Sequence, residues 1–68
     1  MPGTLSDIGS AAGDVWRYLD ANGPTAAETM KRKLKMGSDV FYAAVGWLAR
    51  EDKLQIRTEG QKTVLALK

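Results

Sequence analysis

The 68-residue chain has no cysteine and no histidine. That removes disulfides, the usual zinc ligands, the near-neutral proton shuttle and the thiol nucleophile. Its serines, Ser6, Ser10 and Ser38, therefore have no histidine to activate them, and Ser6 and Ser38 are placed to begin helices. The carboxylates Asp7, Asp14, Asp20, Glu28, Glu51 and Glu59 show no close pairing suited to acid and base work, and no glycine-rich phosphate loop is present. An enzyme is not expected, and neither is a cofactor or a metal. Apolar runs are only a few residues long, against the roughly 20 that a membrane span needs, and MPGTLSD lacks the basic and apolar regions of a signal peptide. The expectation is a soluble, cytoplasmic chain without a membrane partner. A chain this short buries only about 60% of its surface on folding, so one marginally stable domain covering residues 1–68 is expected, unless a partner adds to its core.

Charge is present but unevenly placed. Residues 1–30 carry Arg17 against Asp7, Asp14, Asp20 and Glu28, a net of −3, whereas residues 31–68 carry a net of +5. The pI of about 9.2 makes the second half the place to look for an anionic partner.

Leu5, Ile8, Ala12, Val15 and Leu19 recur every three or four residues and predict a helix over residues 6–21, with Thr4 or Ser6 as its cap and Asn22-Gly23-Pro24 as its stop. Gly9 and Gly13 are anomalous inside it, since each costs up to about 1 kcal/mol there. They are read as permitting close approach of another segment. Thr25 and Glu28 form a capping-box pattern, so a second helix is expected from Ala26, burying Ala27, Met30 and Leu34 and ending at Gly37. Ser38 then caps a third helix that runs to about Glu51.

The tail changes period. LQIRT and QKTVLALK flank Glu59-Gly60, which reads as a two-residue hairpin turn. This register pairs Arg57 with Lys62, Ile56 with Thr63 and Leu54 with Leu65, and turns Leu54, Ile56, Leu65 and Leu67 inward. The fold class is thus α+β: a winged helix-turn-helix, three helices followed by a two-stranded β-hairpin wing.

The pairs Ile8-Gly9, Ala12-Gly13 and Val15-Trp16, then Gly46 to Glu51 (GWLARE) with Lys53, resemble a family of small prokaryotic winged helix-turn-helix proteins of unknown function. The resemblance implies the architecture and no ligand, catalytic residue or partner. Asp52 stands where such proteins often have glycine between third helix and wing, which implies a less sharp bend there.

A nucleic-acid-binding module follows as the expected function, with DNA as partner and a role in transcription regulation. Lys31, Arg32, Lys33 and Lys35 on the second helix, with Arg57 and Lys62 on the wing, are the candidate phosphate contacts. Tyr42 and Arg50 are the candidates for reaching bases. The third helix is otherwise poor in base-reading side chains, and Asp39 at its start repels phosphate. Sequence specificity is therefore expected to be weak. Phe41, Ala44, Val45 and Leu48 form its core stripe. Trp47 has two readings, as core under the wing or the N-terminal segment, or as part of an exposed patch with Val40 and Tyr42. The second makes the alternative function a protein-interaction or self-association module.

Overall fold

The computed structural model describes residues 5–68, with side chains from residue 7 onward. The elements are α1 (Leu5–Asn22), β1 (Thr25–Ala26), α2 (Ala27–Leu34), α3 (Ser38–Arg50), β2 (Leu54–Glu59) and β3 (Lys62–Leu67). The α1 stripe buries Ala11, Ala12, Val15 and Leu19 against Phe41, Ala44, Val45 and Leu48 of α3. Ala27 and Met30 of α2 close the core on one side, and Leu54 and Leu65 of the wing close it on another. Phe41, Met30, Leu65 and Val15 have essentially no exposed surface, so their burial is what excludes water from the centre. Among the described residues no helix is long and apolar enough to cross a membrane.

The start of α1 is Leu5, which puts Ser6 inside the helix; the proposed cap at Thr4 lies outside the described residues. Its end is as expected: Gly23 takes φ +78° and donates its amide to Leu19 at 2.8 Å, while the Asn22 side chain donates to the Tyr18 carbonyl.

The second helix begins differently from the capping-box reading. Thr25 and Ala26 are extended and pair with Leu65 and Val64, so the sheet has three strands in the order β1-β3-β2, all antiparallel. The Thr25 hydroxyl donates to the Gly23 carbonyl instead of capping the helix, and α2 starts at Ala27 with no side-chain cap. A backbone ladder to β3 satisfies this segment better than one hydroxyl could. The helix also stops earlier, at Leu34: Lys35, at φ +56°, takes the left-handed position, and its amide bonds to Arg32. Gly37 does not end α2. It is the extended N-cap of α3, and Ser38, expected as that cap, is the first residue of the helix.

The wing's faces are as expected but its register is not. Glu59 opposes Lys62, Arg57 opposes Val64, Ile56 opposes Leu65 and Leu54 opposes Leu67, so the turn is Gly60-Gln61. A turn at Glu59-Gly60 would ask Glu59 for positive φ. Moving it by one residue lets Gly60 alone adopt φ +64°, at the first central position where a II′ turn wants glycine. Shifting each pairing by two keeps the inward set on one face, but of that set only Leu54 and Leu65 are buried, and Ala66 of the opposite face is buried too; Ile56 is 53% exposed because the strand runs out beyond the helices.

The expectation of a softened bend at Asp52 is corrected. Asp52 adopts φ +60°, the left-handed conformation a glycine would supply, and its carboxylate pairs with Lys68. The Lys53 amide then bonds to the Leu48 carbonyl, closing α3 tightly against the start of the wing.

Candidate nucleic-acid interface

The basic residues of α2 and its C-cap divide into one engaged and three free. Lys31 is mostly covered: its ammonium lies 3.0 Å from Ser38 Oγ, 3.4 Å from Glu28 Oε2 and 6.0 Å from the centre of the Tyr42 ring. The Tyr42 hydroxyl in turn donates to Glu28 Oε1 at 3.4 Å, and its ring meets Phe41 edge-on. Lys31 and Tyr42 thus form a cross-brace between α2 and α3. Arg32, Lys33 and Lys35 are exposed and have no ion pair with another described residue. Their position in and just after the last turn of α2 lets them balance its negative end, but each head group remains in water.

On the wing, Arg57 does not face Lys62, so the like-charge opposition inferred from the sequence is absent. Arg57 reaches Glu59 at 4.0 Å along its own strand, and Lys62 sits across from Glu59. Lys62 also borders a groove of about 310 Å³ between the start of α2 and the wing tip, lined by Ala26, Ala27, Glu28, Thr29, Tyr42, Gln61, Lys62 and Thr63. Thr29, Gln61 and Thr63 were not singled out in the sequence. Their grouping depends on β1 pairing with β3, which brings the start of α2 up to the wing, and no local pattern announces that contact.

Winding α3 at about 100° per residue sets Asp39, Ala43, Gly46 and Arg50 opposite its core stripe, so the outermost line is one acid, one alanine, one glycine and one arginine. Arg50 is exposed and has no ion pair with another described residue. Tyr42 and Trp47 lie on different flanks, about 140° apart around the helix. The structure therefore does not bring Val40, Tyr42 and Trp47 into one patch. Val40 packs against the core, Tyr42 (48% exposed) lines the groove beside α2, and Trp47 (39% exposed) lines a separate groove beside α1. Trp47 is not under the wing, and with more than a third of its surface exposed it is not a core residue; residues 1–4, the start of the other cover expected for it, lie outside the described residues. Among the described residues no group of three acidic side chains is close enough to hold a metal ion.

Comparison with known proteins gives the same architecture. Residues 3–67 match the family described as winged helix-turn-helix domain (DUF2582). The uncharacterized protein MJ1608 of Methanocaldococcus jannaschii is 35% identical over 63 residues, covering 90% of each chain. The solution NMR structure of protein BT2368 from Bacteroides thetaiotaomicron matches with a TM-score of 0.81 at 29% identity, covering 91% of this chain and 76% of that one.

Proposed function

We propose that this chain, which belongs to the winged helix-turn-helix domain (DUF2582) family, binds duplex DNA through its phosphates with weak sequence preference. The fold is one generally used to bind nucleic acid. The observation that carries the reading is the set of exposed, unpaired cations on the elements that flank α3: Arg32, Lys33 and Lys35 at the end of α2, and Lys62 at the wing. Arg57 adds to them, held only at 4.0 Å by Glu59. The groove between α2 and the wing offers Thr29, Thr63 and Gln61, donors of the kind that position a phosphate, while the Glu28 carboxylate at its edge already accepts from the Tyr42 hydroxyl. Lys35 supports the same reading by its backbone. A residue with a side chain is held in the left-handed region where glycine would be cheaper, and its ammonium has no described partner to repay that cost.

Base recognition is the weaker part. The outward line of α3 has Arg50 as its single cation, and Asp39 in the first turn opposes phosphate. A regulatory role in transcription is consistent with a domain that holds DNA without reading it closely, provided that something else supplies the address.

Fluorescence anisotropy of a labelled duplex tests this. With three to five phosphates neutralised, log affinity falls against log salt with a slope of about −3 to −4.5, and Lys33→Glu or Lys62→Glu each flattens the slope by about 0.9 or more. Absence of binding at low salt defeats the proposal.

A further inference from the structure

Gly9 and Gly13 sit one turn apart on α1, and the sequence suggested that another segment packs closely there. Nothing in the described chain does. Beyond its chain neighbours and the nearby backbone of α1 itself, a Cβ added at Gly9 would meet nothing within 4 Å, and one at Gly13 would meet only the Arg17 guanidinium, at 3.4 Å. The glycines instead border an open groove of about 390 Å³ that runs between α1 and α3, with Trp16 on one side, Trp47 on the other, and Ala12 and Leu48 beneath. Trp16 is 38% exposed and Trp47 39%, and the two indoles form no ring pair with each other. Two helix-weakening glycines, and both tryptophans of the chain left more than a third exposed, are a cost with no evident return inside the described part of a single copy.

The surface carries both a projection and a recess, which is what a two-fold interface requires, since the same patch must serve both partners. Its charges are also mixed in the way that self-association needs. Arg17 and Lys53 line the groove, Arg17 already paired with Asp14, and Asp20 lies just beyond it, one turn after Trp16 on the same line of α1; neither Lys53 nor Asp20 has an ion pair with another described residue. A purely anionic partner would meet Asp20 and a cationic one Lys53, whereas a second copy offers each its opposite.

We propose that α1 and the Trp47 flank of α3 form a two-fold interface with a second copy of this chain. The α1 helices cross there antiparallel, so that Trp16 of each copy seats over Gly9 and Gly13 of the other and Asp20 of each faces Lys53 of the other. The DNA-facing cations of α2 and the wing take no part, so the proposal stands or falls independently of the nucleic-acid reading.

Sedimentation equilibrium of the full chain from about 1 µM to about 1 mM covers the association strengths at issue. The expected result is a concentration-dependent dimer whose two tryptophans become less accessible to acrylamide as it forms. Gly9→Leu fills space that is open in one copy, so it is expected to remain folded by circular dichroism yet to dimerise at least about 30-fold more weakly, the scale of a hot-spot loss. Trp16→Glu removes the projection and serves as the second variant if Gly9→Leu does not fold. A wild-type chain that stays monomeric throughout overturns the proposal. So does a dimer that a folded Gly9→Leu or Trp16→Glu variant leaves intact, or one whose formation does not protect the indoles.

Discussion

Among the described residues two with side chains, Lys35 and Asp52, occupy the left-handed region, and they sit at the two turns that frame α3. Each is a place where glycine would relieve backbone strain of about 1 kcal/mol. Asp52 has partial compensation in the Lys68 ion pair, although both side chains are largely in solvent and the pair contributes little. Lys35 has none, so Lys35→Gly is expected to raise stability by about 1 kcal/mol, or roughly 4–8 °C in thermal melts. The same variant should bind duplex DNA less tightly and with a flatter salt slope, which anisotropy would register. Such positions were hard to find in the sequence because the local cue misled: Gly37 is two residues from where the chain turns left-handed. Phe41, Met30 and Val15 were legible because burial along a helix repeats every three or four residues whatever lies across from it.

Among the elements, the helices were read to within a few residues, and so was the alternation of the wing, although Ala66, expected to face outward, is buried. What went wrong was pairing. A two-residue turn at Glu59-Gly60 or at Gly60-Gln61 leaves the same residues facing inward, so alternation alone could not choose between them. The backbone preference of Gly60 chose. Ile56 shows the limit of alternation in another way, for it is on the inner face and still more than half exposed. Ile56→Thr is accordingly expected to change stability by less than about 0.5 kcal/mol in denaturant titrations, the scale of a surface substitution, whereas a truly buried isoleucine would cost several times more. Strand β1 had no signal of its own: two residues are too few to show a period, and Thr25 with Glu28 imitated a helix cap.

At the scale of the molecule, opposite charges are sorted between elements rather than neutralised in the interior. No charged or polar side chain is buried among the described residues, and the ion pairs that occur there are at the surface. Stability therefore rests on apolar packing and is expected to be nearly indifferent to salt. Raising sodium chloride from about 0.05 M to about 0.2 M should move the melting temperature by no more than a few degrees. Over the same range duplex binding should weaken on the order of 100-fold, because phosphate contacts depend on counterion release. A melt and a titration in matched buffers check the two halves of that contrast.

Secondary structure, the polarity of each face and the drift of positive charge toward the second half were settled by the amino-acid order alone, because they depend on spacing between near neighbours. Partnership between distant residues was decided only when the chain closed on itself. That closure made Thr25 a strand residue, tied Lys31 to Tyr42 and Ser38, parted Tyr42 from Trp47, and set Trp47 beside Trp16 across two glycines. The physical reason is that a helix or strand states which side is apolar, while the surface it meets is fixed by the packing of the whole core.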